Sequence, residues 1–435
     1  MTGAEHRKRL VALAYPVYFE LLAGVAAGII NMVWVARLGG PSVAAVAVAT
    51  NVENLLLGVA LIAASGTTVL VARARGAGDP GALRSAVRGG WVLCGVLAPV
   101  VACGGFLVRE PLARLVLGGS AGPEVALVAG YFAISLPGMA VYFAQIQLDG
   151  VLKGAGDTRT PMRLAFLANG LILVLDPLLI QAYGIRGAAL ATVIGRAVAL
   201  CAGILVLRRR GLLRVGRGGF AAARRTLRTG LLLGADFLVR MAATLALVGV
   251  VGRLGATSLA AYGIATKAMY VATMAFYAVR QAASLHTAHT LGAGRDERRA
   301  IGRQVLTVSG ALGVGAAGLL LVGAPVVLRA FGAAPEVAGA GAVFLRCLGP
   351  YLILLSCFIA LGGVFEGSGR GPALLRITVL GAVLQLPLAY ALSGLGLPGV
   401  CLAMALAMAV QCAALGLLLR RVPRQEPSRA LSRAA

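Results

Sequence analysis

Charged and aromatic residues are scarce in this chain. Of its 435 residues, only 13% are charged and 6% are aromatic, whereas 59% are hydrophobic. Soluble globular proteins average about 25% charged residues, so the composition excludes a soluble domain. The few aromatic residues and the weak alternation of apolar and polar residues exclude an outer-membrane β-barrel. We therefore predict an all-α integral membrane protein, because helices satisfy their own backbone hydrogen bonds in lipid.

Lysine, histidine and paired cysteine are also rare. Three of the 40 basic residues are lysines, and the chain has three histidines. The seven cysteines lie in apolar runs without paired spacing, where cysteine usually acts as a small hydrophobic residue. His286 and His289 are close in sequence but have no accompanying carboxylate. We expect no disulfide and no metal site. The arginine bias, with so much alanine and glycine, indicates a GC-rich bacterial genome.

Twelve apolar runs are long enough to cross a membrane as helices. They lie at 10–38, 42–71, 86–108, 124–149, 161–183, 187–208, 229–253, 257–289, 303–325, 337–362, 373–394 and 397–420.

The net charge of +25 is concentrated in every second connector. The basic connectors fall at 6–9, 73–88, 153–159, 208–228, 295–303, 370 and 420–433. Cytoplasmic loops carry the excess of Lys and Arg, so we expect a bacterial cytoplasmic membrane protein with both termini in the cytoplasm. Because this charge follows membrane topology, we expect no nucleic-acid partner.

The chain contains an internal repeat. Residues 37–50 and 253–266 share eight of fourteen residues at an offset of 216, and the same offset relates Glu20 to Asp236. Later in each half the offset is 213, relating Gly150–Met162 to the segment that begins at Gly363. Each half starts on the cytoplasmic side, so we predict two parallel six-helix repeats, an arrangement found in transporters.

We expect the repeats to form two lobes. The N-lobe covers 1–208 and the C-lobe 229–420, with an Arg-rich cytoplasmic linker at 209–228 and a cytoplasmic tail at 421–435. The linker has no run long enough to span, so we expect a loop with a short surface helix.

Short motifs in these repeats resemble those of the multidrug and toxic compound extrusion (MATE) transporters. The matching segments are Val35-Ala-Arg-Leu-Gly39, Gly76-Ala-Gly-Asp79, Gly154-Ala-Gly-Asp-Thr-Arg-Thr-Pro161 and Gly187-Ala-Ala-Leu-Ala-Thr192. The resemblance implies lobes that form a V around an outward-open cleft, and cation efflux driven by inward H⁺ or Na⁺ movement. It implies no cofactor, and we expect a functional monomer.

Glu20 and Glu53 lie inside spans, where an ionisable side chain costs roughly 2.5–3.5 kcal/mol on insertion scales. Glu20 shares a small-residue face with Asn31, and it is either a proton-binding carboxylate or half of an ion pair. Glu53 lies between Asn51 and Asn54. These amides either complete a cation site or satisfy one another.

Asp176 and Thr192 match a proton or sodium site that the resemblance implies in the first lobe. The family also has an Asp in span one and an Asn one turn before the span-five Asp. This chain has Asn31 and Ile172 at those positions. The pattern is incomplete, so Glu20 or Glu53 is a candidate source of the missing carboxylate.

Asp236 is the repeat mate of Glu20, and the resemblance implies a cation-site acid in span seven. Arg240 lies four residues later, at the spacing of an intrahelical ion pair. Asp236 is therefore either a coupling residue or a structural ion pair. Lys267, Arg280 and Arg346 also lie inside spans, where they either hold such carboxylates ionised or line the cleft.

Asn31, Asn51 and several aromatic residues are candidate cleft residues, because aromatic rings bind amphipathic cations. The aromatic candidates are Tyr142, Phe143, Tyr262 and Tyr270. The alternative is that these rings serve only for packing.

The leading hypothesis is a secondary exporter of organic cations or amphipathic small molecules, working by H⁺ or Na⁺ antiport. A flippase for lipid-linked intermediates is the alternative within the superfamily. A larger, strongly cationic cleft and spans beyond twelve would favour that alternative. A membrane enzyme would need paired acidic motifs, a nucleophile with a base, or a metal cluster. The acids lie scattered on different spans, which disfavours an enzyme.

Overall fold

The computed structural model describes residues 2–117, 122–212, 219–332 and 334–421, which are almost entirely helical. The helices of this part are α1 (Gly3–Ala36), α2 (Gly40–Gly76), α3 (Pro80–Leu107), α4 (Arg109–Val116), α5 (Pro123–Gly154), α6 (Arg159–Tyr183), α7 (Ile185–Arg209), α8 (Gly219–Gly252), α9 (Ala256–Gly292), α10 (Arg298–Ala330), α11 (Pro335–Cys347), α12 (Gly349–Gly367), α13 (Gly371–Ala391) and α14 (Leu397–Arg420). A short 3-10 turn at Leu392–Leu395 follows α13.

Twelve of the described helices are long and apolar enough to cross a membrane, which confirms the twelve expected spans. The second span, for example, is expected at 42–71 and is α2, Gly40–Gly76. The short α4 lies between the third and fourth spans and is less apolar than they are. The apolar runs therefore predict the number and order of spans correctly.

The tenth span differs from the single helix expected at 337–362. Here α11 ends at Cys347 and α12 begins at Gly349. Pro350 occupies the first turn of α12, where its missing N–H is tolerated but cannot continue the bonding of α11. Its repeat mate Pro137 lies inside the unbroken α5, so the two halves differ at this point.

Two spanning helices begin earlier than their apolar runs. Helix α1 starts at Gly3 rather than at residue 10. Helix α8 runs unbroken from Gly219 to Gly252, so residues 219–228 of the expected linker form its first turns rather than a separate surface helix. Hydropathy identifies the apolar part of a helix and misses the polar turns at its ends. Linker residues 213–218 and the tail from 422 lie outside the described residues.

The chain divides into two compact units. The N-unit consists of Phe19–Arg75 and Asp79–Gly234, and the C-unit of the described residues up to Tyr18, Gly76–Gly78 and those from Ala235 onward. The division differs from the expected lobes, since the first turns of α1 belong to the C-unit. Leu10 of α1 explains this, because it is 1% exposed and packs in the same core as Ile301 and Phe365.

Glycines let helix backbones approach closely in the N-unit. A Cβ added to Gly150 of α5 would lie 3.0 Å from the carbonyl oxygen of Ala64 on α2, and one on Gly154 would lie 2.8 Å from that of Thr68. Small residues four apart permit such close packing of membrane helices.

The C-unit repeats this contact at the equivalent positions. A Cβ on Gly363 of α12 would lie 2.1 Å from the carbonyl oxygen of Arg280 on α9, and one on Gly367 would lie 2.2 Å from that of Ser284. Each residue corresponds to its N-unit counterpart at the offset of 213 or 216. The sequence repeat is therefore also a repeat of helix contacts within each unit.

The two Gly-Ala-Gly-Asp segments, 76–79 and 154–157, end one helix and start the next. Gly78 and Gly156 have φ angles of 64° and 79°, a region that glycine enters without steric cost. Asp79 and Asp157 then accept hydrogen bonds from the first backbone amides of α3 and α6. The motif is thus a turn joined to a helix cap.

Candidate functional site

The Glu20 carboxylate is held in an ion pair in the N-unit. Its Oε1 accepts a hydrogen bond from Lys153 Nζ at 2.7 Å, and the two side chains are 13% and 10% exposed. Asp149, one turn before Lys153, interacts electrostatically with the same pair. Of the two alternatives for Glu20, the geometry matches the ion pair.

Asp176 is fully buried in α6 and has no ion-pair partner among the described residues. Its Oδ2 accepts a hydrogen bond from Asn31 Nδ2 at 2.9 Å, whereas its Oδ1 has no hydrogen-bond partner there. Leaving a buried carboxylate charged and unpaired costs on the order of several kcal/mol. This group is therefore chemically suited to binding a proton or a small cation.

Glu53 belongs to a polar group around the buried Tyr131. Glu53, Asp176 and Arg196 all act electrostatically on the Tyr131 phenol. The Arg196 guanidinium also stacks on the Tyr142 ring, 3.6 Å from its centroid. The N-unit therefore places two carboxylates and one guanidinium around the Tyr131 phenol, with the Tyr142 ring against the guanidinium.

Thr192 and Asn51 make fewer specific contacts. The Thr192 hydroxyl donates to the carbonyl oxygen of Ala188 in its own helix at 3.0 Å. Asn51 is exposed on α2. The amide beside Asp176 comes from Asn31 of α1, so Asn31 is a hydrogen-bond partner of this carboxylate.

Asp236 is neutralised by two arginines in the C-unit. Its Oδ2 lies 3.1 Å from Arg240 Nη2 and 3.0 Å from Arg280 Nη2. Its Oδ1 accepts a hydrogen bond from the Thr378 hydroxyl at 2.5 Å. Arg280 Nε also donates to Glu366 at 3.1 Å. Of the two alternatives for Asp236, the geometry matches the ion pair with Arg240, and Arg280 completes a four-charge cluster.

The ion pairs of the two units occupy repeat-related positions. Glu20 corresponds to Asp236 at the offset of 216, and Lys153 corresponds to Glu366 at 213. In the N-unit these positions hold an acid and a base, which pair directly. In the C-unit both are acids, and Arg280 bridges them.

The aromatic cleft candidates fall into different environments. Tyr262 is 6% exposed and packs against Phe344 with ring centroids 5.5 Å apart, so it belongs to the C-unit core instead of lining a cleft. Phe143 is likewise buried in the N-unit core. Tyr270 is 53% exposed on α9, and Lys267, one turn earlier, is also exposed.

The histidines form a pair that the sequence does not indicate. His6 Nδ1 and His286 Nε2 are 2.9 Å apart, and the two residues are 0% and 1% exposed. His6 Nε2 lies 3.7 Å from a carboxylate oxygen of Glu297. Across the described ranges, no group of three or more His, Cys, Asp or Glu residues is placed to hold a metal ion.

Sequence reasoning missed four polar residues that the structure brings into these groups. They are His6, Asp149, Arg196 and Glu366. Asp149 and Glu366 lie close to the expected ends of their spans, where hydropathy does not mark them as buried. Arg196 lies inside the sixth span, and its position alone qualified it as a candidate. Glu366 was detectable as the repeat mate of Lys153.

The fold and these polar groups define a class of protein. Ionisable side chains buried between membrane-spanning helices mark ion and solute pathways, and repeated six-helix halves are typical of secondary transporters. Comparison with known families then gives the assignment: the MatE family model matches residues 16–178 and 233–391. The chain belongs to this family, the multidrug and toxic compound extrusion transporters. It is a multi-pass membrane transporter and not an enzyme, and such transporters need no cofactor.

Two curated bacterial proteins align with most of this chain. The probable multidrug resistance protein YpnP of Bacillus subtilis is 24% identical over 387 residues, which cover 86% of this chain and 85% of that protein. The probable multidrug resistance protein NorM of Thermotoga maritima is 24% identical over 405 residues, covering 89% and 85%.

Solved structures share the fold. A multidrug resistance MATE family transporter of the MOP superfamily, in an outward-facing conformation, aligns with a TM-score of 0.88 and 23% identity over 95% of each chain. A MOP superfamily transporter from Pyrococcus furiosus aligns with a TM-score of 0.86 and 22% identity, again over 95% of each chain.

Proposed function

We propose that this chain is a secondary active efflux transporter that exports organic cations or other amphipathic small molecules in exchange for H⁺ or Na⁺. It would act as a monomer in the bacterial cytoplasmic membrane, with both termini in the cytoplasm. Relatives named as multidrug resistance proteins support efflux. The alternation of arginine-rich and arginine-poor connectors supports the orientation.

The observation that carries this proposal is the isolation of Asp176. Its carboxylate is fully buried, bonded to one neutral amide and left with an unpartnered Oδ1. Glu20 and Asp236 have basic partners at 2.7–3.1 Å and are already compensated. We therefore assign ion coupling to Asp176, with Glu53 as the second carboxylate of the same unit, and a structural role to Glu20 and Asp236.

Coupling would follow from the two states of this carboxylate. Binding of H⁺ or Na⁺ removes the cost of an unpaired charge, whereas release restores it. A ligand shifts a conformational equilibrium only by its difference in affinity between the states. The states of the transporter would thus differ in how well Asn31 and the groups around Tyr131 stabilise the charged Asp176.

The test replaces this carboxylate with a neutral group of the same shape. In proteoliposomes with an imposed pH or Na⁺ gradient, Asp176→Asn should reduce export of a fluorescent amphipathic probe at least tenfold. Glu336→Gln is the matched control, because Glu336 is an exposed acid in the first turn of α11, and it should export at the wild-type rate. Gradient-driven export that is equally fast in Asp176→Asn would remove Asp176 from the coupling mechanism.

The flippase alternative has less support. The relatives described above are named as multidrug resistance proteins, and the spans found in the described residues number twelve. Neither observation favours a carrier of lipid-linked intermediates.

A further inference from the structure

An exposed face of α9 carries a lysine well inside a helix that is long and apolar enough to span a membrane. Lys267 lies eleven residues after the start of α9 at Ala256, about 16 Å along the helix axis, and the hydrocarbon core is about 30 Å thick. The residue is exposed. A lysine at this depth facing lipid would be costly, whereas intramembrane charges in transporters face water-filled cavities.

Lys267 has no counter-ion within the described chain. The two acids inside C-unit spans, Asp236 and Glu366, are both bonded to Arg280. The remaining acids of this unit lie at the helix ends or in connectors: Glu5, Asp296, Glu297 and Glu336. None of them forms an ion pair with Lys267, so its ammonium group is available to an acidic group of a ligand.

The surroundings of Lys267 leave room for a ligand with a ring. Gly263, one turn earlier on the same face, is exposed, and a Cβ added to it would meet nothing within 4 Å. Tyr270, one turn later, is 53% exposed. Residues three and four apart share a helix face, so open space, an ammonium group and a phenol ring follow one another along this face.

The internal repeat shows that the positive charge of Lys267 has no counterpart at the equivalent position of the N-unit. At the offset of 216, Lys267 and Tyr270 correspond to Asn51 and Asn54 of α2. Both asparagines are exposed as well. Equivalent faces of the two units are therefore accessible, but only that of α9 carries a charge at these positions.

We propose that the face of α9 formed by Gly263, Lys267 and Tyr270 binds an acidic group of an amphipathic substrate, so that the exported class includes aromatic or amphipathic anions and zwitterions. This proposal rests on the efflux function proposed above and deepens it, by naming an acidic group that the transporter recognises in its substrates. Lys267 Nζ would donate to a carboxylate, sulfonate or phosphate oxygen, while Tyr270 contacts the apolar part of the substrate.

The test compares an anionic and a cationic probe in proteoliposomes that contain the full chain. Carboxyfluorescein and ethidium serve as probes. Lys267→Gln should raise the KM for carboxyfluorescein at least tenfold, because hydrogen bonds to charged groups are among the strong ones. Lys267→Arg should restore most of the affinity, and Lys267→Glu should abolish carboxyfluorescein export while leaving ethidium export equal or faster.

Arg329→Gln is the matched control. Arg329 is an exposed base in the last turn of α10 of the same unit, and its replacement should leave both KM values unchanged. Thermal unfolding of each variant in detergent checks folding, and rescue by arginine separates loss of charge from loss of fold. Repeating the assay with sulfate in place of chloride tests whether chloride is the anion that Lys267 binds. An effect of Lys267→Gln that disappears without chloride would assign the face to an inorganic anion and overturn the proposal.

Two further outcomes separate this proposal from the efflux function. Gradient-driven ethidium export with no carboxyfluorescein export, or with a carboxyfluorescein KM unchanged in Lys267→Gln, would overturn the anion face and leave efflux standing. If no probe is exported, the efflux proposal fails. Binding of carboxyfluorescein to the detergent-solubilised protein is then measured by fluorescence anisotropy. Equal binding by wild type and Lys267→Gln would overturn the proposal that this face of α9 binds an acidic group.

Discussion

Buried carboxylates in this protein differ in whether a basic group neutralises them. Glu20 bonds to Lys153, and Asp236 bonds to Arg240 and Arg280. Asp176 bonds only to the amide of Asn31. A compensated carboxylate gains little from binding a cation, whereas an isolated one gains much. The difference in partners, more than depth in the membrane, separates the structural acids from the candidate for coupling.

Removal of Lys153 should destabilise the N-unit strongly. In Lys153→Met, Glu20 remains buried without its base, and breaking one partner of a buried ion pair costs about 3–5 kcal/mol. The double variant Glu20→Gln, Lys153→Met should recover part of this loss, because no orphaned charge remains at Glu20. Thermal unfolding of the purified proteins in detergent measures both effects. Simple addition of the two single-variant losses would contradict the pairing.

At the scale of helices, the Gly-Ala-Gly-Asp turn at 154–157 joins a helix cap to an ion pair. Asp157 accepts hydrogen bonds from the amides of Arg159 and Thr160, and its Oδ2 lies 2.5 Å from Arg210 Nη1. Burial acts to raise the pKa of Asp157, but the hydrogen bonds from Thr160 and Arg210 outweigh it and hold the pKa below its usual value. The ionised form of Asp157 therefore stabilises the start of α6.

This lowered pKa predicts a pH-dependent stability. A depressed folded-state pKa contributes stability above the unfolded value of about 3.9, and the contribution is lost as the pH falls through the folded pKa. Asp157→Asn should therefore lower stability by about 0.5–1 kcal/mol at pH 7, a modest value because Arg210 is partly exposed. The difference from wild type should shrink below about pH 4.

Asp79→Asn is the control for this experiment. Asp79 caps α3 through the amides of Gly81 and Ala82 but has no ion-pair partner like Arg210 among the described residues. Its replacement should cost less at pH 7. Thermal unfolding between pH 3 and pH 7 gives both comparisons. An equal loss in the two variants at every pH would show that the Asp157–Arg210 pair does not contribute.

The helices were largely predictable from the sequence, and the side-chain pairs were not. Apolar runs place α2 and α14 to within a few residues, because lipid requires such runs. The break between α11 and α12 was not predicted. Pro350 does not announce it, because the equivalent Pro137 of the first half lies inside an unbroken helix. Pairs such as His6–His286 join residues 280 positions apart, and no local pattern encodes that contact. The short-range Asp236–Arg240 pair was foreseen as one of two alternatives for Asp236, because four-residue spacing brings the two side chains together on a helix.

At the scale of the whole molecule, two repeats share a helix framework but differ in charge. The glycine contacts of α5 with α2 recur between α12 and α9 at equivalent positions. The N-unit holds Asp176 without a basic partner, whereas the C-unit pairs the acids inside its spans and exposes Lys267. Under the two proposals above, the N-unit binds the coupling ion and the C-unit contacts the substrate.

The central claim is that ion movement drives export. The most direct measurement follows efflux of a fluorescent amphipathic probe from proteoliposomes, with a pH gradient and a Na⁺ gradient imposed separately and then collapsed by ionophores. We predict that at least one gradient drives export against the probe's concentration difference, that reversing this gradient reverses the flux, and that its collapse stops net transport. Net transport that continues unchanged with both gradients absent would contradict the account.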